Sequence, residues 1–279
     1  MTIIDGKAIS AVIRLELAKR TEELKKARGI VPGLAVIMVG DDPASAVYVR
    51  NKEKACAELG FHSELYRLPA DSTEKDISEL IDRLNGDDAI HGILLQLPLP
   101  KGINSKGLTD RILSEKDVDA FNPYNVGRIS AGDYGFLPCT PAGVMELLSR
   151  SGIEIAGKRC VIIGRSNIVG KPMAMLMLNA DATVTVCHSK TRDLASVCRE
   201  ADILISAVGK AGFVTADMVR EGAVVIDVGM NRNENGKLCG DVDFAAVAPK
   251  TSYITPVPGG VGPMTITMLM RNTLYAAER

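Results

Sequence analysis

The stretch Cys160-Val161-Ile162-Ile163-Gly164-Arg165-Ser166-Asn167-Ile168-Val169-Gly170-Lys171-Pro172 decides the fold. A short β-branched run ends in Gly164, and a glycine-bearing turn then leads into the helix-forming Met173-Ala174-Met175-Leu176-Met177-Leu178. Strand, tight turn and helix in that order build an anion site, because the first N–H groups of a helix lack partners and the dipole there favours negative charge. The turn departs from G-x-G-x-x-G: Ser166 stands at the second glycine position and Gly170 lies one residue late. A strand-turn-helix that binds nothing has the same pattern, so the rest of the chain must decide.

Working outward, apolar runs at 159–163, 183–187, 203–206 and 223–227 are expected strands. Helical segments lie between them near 169–178, 194–200 and 216–220. Short parallel strands with connecting helices describe a dinucleotide-binding sheet, with ligands at the carboxyl ends of the strands. NAD sites commonly place an acid at the end of the second strand, to hold the ribose hydroxyls. Here that strand ends in Cys187-His188-Ser189-Lys190-Thr191-Arg192, a hydroxyl and two cations with no acid, and Arg165 sits inside the glycine turn. This favours a 2′-phosphate and hence NADP over NAD. His188 reads as a satisfied strand-end residue and is given no role.

Upstream, 10–28 has amphipathic helical spacing, 34–39 is a buried strand and 44–59 a helix stopped by Gly60. A strand at 64–68 precedes Thr73 and Asp76, whose spacing resembles a capping box for a helix to residue 84. The strand at 90–95 ends before Pro98 and Pro100, which a ladder cannot accept. Alternating strands and helices imply a parallel sheet. From 114 to 139 the pattern breaks, with Asn122-Pro123, Gly127, Gly132-Asp133, Gly135 and Pro138. Thr140-Pro141 then reads as an N-cap and first helical residue. The last helix, 264–277, has no strand to return to in the nucleotide sheet and is expected to pack on the N-terminal domain.

The expected architecture is therefore α/β with two domains: a discontinuous N-terminal catalytic domain (1–120 with 264–279) and a Rossmann-type NADP-binding domain (140–255). Segments 121–139 and 256–263 are the crossings, and an active-site cleft is expected between the domains.

Composition narrows the function. A net charge of -1 argues against nucleic acid or an anionic membrane as partner. No apolar run approaches the roughly 20 residues of a membrane-spanning helix. Met1-Thr2-Ile3-Ile4-Asp5-Gly6-Lys7 lacks a signal-peptide core. The six cysteines form no C-x-x-C pair, as in a cytoplasmic protein with reduced thiols and no metal site.

On the 44–59 helix, Tyr48, Lys52, Ala55, Cys56 and Leu59 share one face. The other members are packing residues, so Lys52 stands where a cleft is expected, whereas Lys54 turns toward Glu58 and solvent. Burial of an amine disfavours its charged form, which makes lysines general acids or bases. The alternative is a snorkelling side chain whose head reaches water. Gln96, in Gln96-Leu97-Pro98-Leu99-Pro100, follows a buried strand at the ligand-binding edge; it reads equally as an ordinary polar strand end. Asp117-Val118-Asp119 offers two carboxylates, either of which can be merely solvated. Thr255-Pro256-Val257-Pro258-Gly259-Gly260-Val261-Gly262-Pro263 exposes backbone N–H groups without bulky side chains, suited to a flat ring or to an interdomain linker.

Taken in order, Tyr48-x-x-x-Lys52, Gln96-Leu97-Pro98-Leu99-Pro100, Lys116-Asp117-Val118-Asp119, Gly164-Arg165-Ser166-x-x-Val169-Gly170-x-Pro172 and Pro256 through Pro263 resemble the bifunctional methylenetetrahydrofolate dehydrogenase/methenyltetrahydrofolate cyclohydrolase family. The resemblance covers essentially the whole chain. It implies oxidation of 5,10-methylenetetrahydrofolate with NADP, then hydrolysis to 10-formyltetrahydrofolate. It makes Lys52 the acid/base, oriented by Tyr48 and Gln96, and gives Asp119 the polar edge of the pterin. Leu97, Pro98 and Pro258, Gly259, Gly260, Val261 and Gly262 would line the folate. Gly164, Arg165, Ser166 and Ser189 would bind the NADP phosphates and ribose, with Met230 on the nicotinamide side. The family is typically a homodimer formed through its nucleotide domains. One departure is Ala120, where the family usually has glycine. Another two-domain NADP dehydrogenase, acting on a hydroxy acid or polyol, and a non-catalytic NADP sensor are the competing readings.

Overall fold

The computed structural model describes residues 1–279, the side chains of Pro43 and Ala44 excepted. Along the first half run β1 (Thr2–Ile3), α1 (Gly6–Arg28), β2 (Gly33–Val39), α2 (Pro43–Leu59), β3 (His62–Leu68), α3 (Glu74–Asn85), β4 (Gly92–Leu95), α4 (Ser105–Arg111) and α5 (Pro123–Ala131). The second half holds α6 (Cys139–Arg150), β5 (Arg159–Ile163), α7 (Gly170–Asn179), β6 (Thr183–Cys187), α8 (Leu194–Arg199), β7 (Ile203–Ser206) and β8 (Val224–Asp227). It continues through β9 (Asn231–Arg232), β10 (Leu238–Cys239), α9 (Phe244–Val247), β11 (Tyr253–Ile254) and α10 (Val261–Glu278). Two compact units result: Val12–Leu137 with Ile266–Arg279, and Met1–Ala11 with Pro138–Thr265.

In the first unit β2 is the centre of a three-stranded parallel sheet ordered β3-β2-β4, and all seven of its residues are buried. That is why it reads as an unbroken apolar run rather than an alternating one. Ile77, Leu80, Ile81 and Leu84, at helical spacing on α3, close one side of this core with Ile93 and Leu95. Each such side chain contributes about 1.5–3 kcal/mol on burial. The capping box is present: the Asp76 N–H donates to Thr73 Oγ1 (3.2 Å) and the Thr73 N–H to Asp76 Oδ2 (2.8 Å). Asp42 caps α2 by accepting from the Ser45 N–H at 2.8 Å, and Gly60 ends it in the left-handed region (φ 71°). As expected, Lys54 is solvated and pairs with Glu58 at 3.9 Å.

The second unit carries a six-stranded parallel sheet ordered β1-β11-β8-β7-β5-β6. From β5 the chain steps outward to β6, then reverses to β7 and β8. The point of reversal lies between β5 and β7, where doubly wound sheets bind ligands. All six cysteines are free thiols, five of them buried.

Several elements differ from the sequence reading. Residues 1–11 join the nucleotide sheet because Thr2 and Ile3 pair with Tyr253 and Ile254, a long-range register that two residues cannot announce. Residues 121–137 stay with the first unit and contain α5, so Asn122-Pro123 and Gly132 are helix punctuation rather than an irregular crossing. Asn122 caps α5 by accepting from the Tyr124 N–H (2.9 Å), and Gly132 closes it at φ 75°. Residues 256–265 stay with the second unit. Thr140 lies inside α6, which has no side-chain cap; its hydroxyl instead meets Thr265 Oγ1 at 3.0 Å. The helix expected at 216–220 is a single 3₁₀ turn, Ala216–Met218.

Candidate active site

In the first unit, α2 and β4 bring Lys52 and Gln96 together. Gln96 follows the last residue of β4, where its N–H donates to Ile37 O (2.8 Å) and fixes its backbone. The Lys52 ammonium donates to Gln96 Oε1 at 2.9 Å, while Gln96 Nε2 donates to Leu97 O at 2.7 Å. Both ends of the amide are engaged, which sets its orientation and presents an acceptor to the amine. Lys52 is half-buried beside Ala55, Cys56 and Leu59, which are fully buried or nearly so. Tyr48, one turn earlier, is also half-buried, and burial raises its hydroxyl pKa above the usual phenol range. An amine held by a neutral amide acceptor can take and return a proton without losing its position.

The Lys116–Ala120 segment runs alongside β4, with Asp117 in parallel register opposite Ile93. Beyond Asp117 the segment turns, the Ala120 N–H donating to Asp117 O at 3.0 Å. The two aspartates differ sharply. Asp117 is 2% exposed and its Oδ2 accepts from the Asn122 N–H (2.7 Å) and Asn125 Nδ2 (2.9 Å). Burial pushes its carboxyl up to about 6 against those hydrogen bonds, and the nearby Asp119 charge adds to the rise. Asp119 is half-buried. Asn272 braces the same segment, donating to Val118 O and Leu137 O at 2.8 Å each. Ala120, at φ 56°, occupies the left-handed region that favours glycine.

In the second unit the Gly164 turn sits at the sheet's point of reversal. Gly164 has φ 122°, and a Cβ there would lie 2.4 Å from Ala207 O, at the end of β7. A Cβ on Gly170 would lie 2.2 Å from Gly164 O, so this displaced glycine is required by the turn's own packing. Ser166 Oγ accepts from the Val169 and Gly170 N–H groups (3.2 and 3.3 Å), from the turn that precedes α7. Arg165 and Ser166 are exposed, as are Ser189, Lys190 and Arg192 after β6. His188 accepts from the Lys190 N–H (3.2 Å) through Nδ1, and its own N–H donates to Thr191 Oγ1 (2.9 Å), a structural strand-end residue. Met230, 45% exposed, follows β8. A glycine cradle at the sheet reversal, with exposed cations in its own turn and after β6 and no acid at the β6 end, fits a phosphorylated dinucleotide.

The Pro256–Pro263 segment is tighter than an open linker. Gly259, Gly260 and Val261 are buried and Pro258 is exposed. The Gly260 N–H is not presented outward: it donates to Pro256 O at 2.8 Å. A Cβ on Gly260 would lie 2.6 Å from Pro256 O, and one on Gly262 would lie 3.3 Å from Met230 Cε. Gly6, unassigned from sequence, packs against this segment so closely that a Cβ would lie 1.9 Å from Gly260 O. The Lys7 N–H donates to Gly259 O at 3.1 Å.

Family models match both halves of the chain: the catalytic domain of tetrahydrofolate dehydrogenase/cyclohydrolase over residues 4–119, and its NAD(P)-binding domain over residues 138–279. The chain belongs to the tetrahydrofolate dehydrogenase/cyclohydrolase family. A bifunctional protein FolD of Moorella thermoacetica is 59% identical over 99% of each chain. The crystal structure of a bifunctional FolD methylenetetrahydrofolate dehydrogenase/cyclohydrolase from Campylobacter jejuni superposes with a TM-score of 0.98 at 54% identity, covering 100% of this chain and 99% of that one. A Trypanosoma brucei FolD structure, complexed with NADP cofactor and inhibitor, gives 0.96 at 42% identity, covering 100% and 98%. Among the described residues no group of His, Cys, Asp and Glu stands together that could hold a metal ion. No helix among the described residues is long and apolar enough to cross a membrane.

Proposed function

We propose that this family member carries both activities: oxidation of 5,10-methylenetetrahydrofolate to the 5,10-methenyl form with NADP, then hydrolysis to 10-formyltetrahydrofolate. The observation that carries the reading is the 2.9 Å hydrogen bond from Lys52 to Gln96 at the ligand-binding end of β4. In the hydrolysis, the water oxygen bonds to the methenyl carbon and gives up a proton to the Lys52 amine. The carbon–N5 bond then breaks: N5 takes the proton held by Lys52, the adduct's remaining hydroxyl proton leaves to solvent as the C=O forms, and the formyl group stays on N10, with one proton released overall. Gln96 holds the amine in place and Tyr48 flanks it, while Asp119 accepts from the polar edge of the pterin. Leu97, Pro98 and the Pro258–Gly262 segment line the folate.

Gly164, Arg165, Ser166 and Ser189 hold the NADP phosphates and ribose, with Met230 toward the nicotinamide. When bound, NADP supplies the two-electron acceptor for the hydride leaving the methylene bridge. The exposed cations Arg165, Lys190 and Arg192 support NADP over NAD. The protein is placed in the cytoplasm, supported by its free thiols, where its product supplies one-carbon units for purine, histidine and methionine biosynthesis. A homodimer through the nucleotide units is supported by β6, a sheet edge with Thr183, Thr185 and Val186 exposed. Sedimentation of a monomer at micromolar concentration would refute that pairing.

The deciding experiment is spectrophotometric: methylenetetrahydrofolate with NADP+ or NAD+, followed by decay of the methenyl product. Expected are NADPH formation and methenyl decay faster than in buffer. No NADPH formation refutes the assignment, and methenyl decay at the buffer rate reduces it to a dehydrogenase alone.

A further inference from the structure

We propose that Asp241 is a positioning residue of the dinucleotide site, shaping the turn after β7 so that it meets the nicotinamide half of the cofactor through carbonyl oxygens. The side chain is wholly buried. Its Oδ2 accepts from the Ser206 hydroxyl (3.1 Å) and from the N–H groups of Val208 (2.7 Å) and Gly209 (3.3 Å). Its Oδ1 accepts from the Lys210 N–H and from Asn231 Nδ2, each at 2.9 Å. Three consecutive backbone N–H groups thus converge on one carboxylate, the kind of concavity that elsewhere binds a free anion. Here the anion is part of the chain.

Two consequences follow. The Val208, Gly209 and Lys210 N–H groups are engaged by Asp241 rather than offered to a phosphate. Lys210 O accepts from the Phe213 N–H (3.4 Å), so the Val208 and Gly209 carbonyls are the acceptors assigned to the cofactor, and the donors available on a nicotinamide nucleoside are ribose hydroxyls and the carboxamide amino group. The location agrees, since Ala207 O packs against Gly164 at the sheet's point of reversal and Asn231 directly follows Met230. One carboxylate therefore joins the loops after β7 and β8. Asp227 anchors it from behind, accepting from the N–H groups of Asp241, Val242 and Gly229, each at 2.9 Å. A Cβ on Gly229 would lie 2.2 Å from Asp241, and one on Gly240 1.8 Å from Asp227. A buried charge adds little stability over apolar packing of the same volume, so fixing a shape is its better-supported use.

The proposal rests on the reading of the second unit as an NADP site. Asp241→Asn in the full chain turns an amide NH2 toward one set of these donors in either orientation. NADP+ affinity by calorimetry is expected to fall roughly tenfold to a hundredfold. Adenosine 2′,5′-bisphosphate, which lacks the nicotinamide half, should bind within about twofold of wild type, and hydrolysis of the methenyl substrate should stay within about twofold. Equal weakening of both nucleotides, a parallel loss of hydrolysis, or unchanged NADP+ affinity overturns the proposal. If that variant does not fold, Asn231→Ala, which removes one donor, decides in its place: selective weakening of NADP+ by about threefold or more is expected, and its absence overturns the proposal. Wild-type protein that binds neither nucleotide refutes the cofactor reading itself.

Discussion

Gly6→Ala tests whether the Pro256–Gly262 segment positions substrate. A Cβ at Gly6 would lie 1.9 Å from Gly260 O, 2.6 Å from Gly260 C and 2.9 Å from Gly259 O, all backbone atoms with no flexible end to swing aside. Moving the carbonyl from 1.9 Å to an ordinary contact of 3.4 Å takes about 1.5 Å. Neither side moves freely: the Ile4 N–H donates to Ile254 O (2.9 Å) and the Lys7 N–H to Gly259 O (3.1 Å). Overpacking of this kind costs about 1–3 kcal/mol, which the protein should survive with a lowered melting temperature. Displacement by about 1 Å of a group that positions substrate costs roughly a hundredfold in rate. Both kcat/KM values, for methylenetetrahydrofolate oxidation and for methenyl hydrolysis, should therefore fall about a hundredfold, while adenosine 2′,5′-bisphosphate still binds. Gly127→Ala is the control: nothing lies within 4 Å of its Cβ, and in a helix it should stabilise by up to about 1 kcal/mol. A folded Gly6→Ala protein with both rates within about threefold of wild type would refute the role given to the segment.

Lys52→Met should abolish methenyl hydrolysis while leaving NADP+ affinity intact; hydrolysis at the wild-type rate would remove Lys52 from the mechanism. Arg165→Ala should raise the KM for NADP+ roughly tenfold to a hundredfold through loss of a charged hydrogen-bond partner, with little effect on NAD+. Equal losses for the two would contradict the 2′-phosphate assignment. For Asp117 the folded carboxyl holds its proton to about pH 6, whereas the unfolded chain releases it near 3.9. Between those values the folded state binds more protons, so this group's contribution to stability falls as pH rises, by up to about 3 kcal/mol across the window. Melting of Asp117→Asn against wild type from pH 4 to 7 should show the wild type losing ground as pH increases; a constant or opposite difference would show that Asp117 is not held protonated.

What could be read from the sequence was whatever is encoded locally. β2 and the stretches 160–163, 203–205 and 224–226 of β5, β7 and β8 are buried, so each is an unbroken apolar run that announces itself. The Thr73–Asp76 cap is complete within four consecutive residues. Lys52 stood out because helical spacing sets it among packing residues, and Gln96 because it ends a buried strand; their 2.9 Å contact depends on how α2 and β4 pack, which no local pattern holds. Gly6 and Asp241 escaped for the same reason, since what each meets lies far along the chain. α5 escaped for a different one: Asn122-Pro123 and Gly132 were weighed as loop formers, although an N-cap, a first-turn proline and a left-handed glycine at that spacing also describe a helix.

The Asp117–Asp119 pair shows where local information runs out. Both residues are acidic and two apart, and nothing in the sequence ranks them. Burial separates them. Asp117 is sealed under Asn122 and Asn125 and spends its acceptor capacity on building the segment, so it has little left for a ligand. Asp119, on the segment that Asp117 and Asn272 brace, is half-buried. The pterin role proposed for Asp119 comes from the family resemblance, and the burial of Asp117 gives the neighbouring carboxylate a different task, that of building the segment. Replacing the buried aspartate should change the segment's shape before it changes any chemistry.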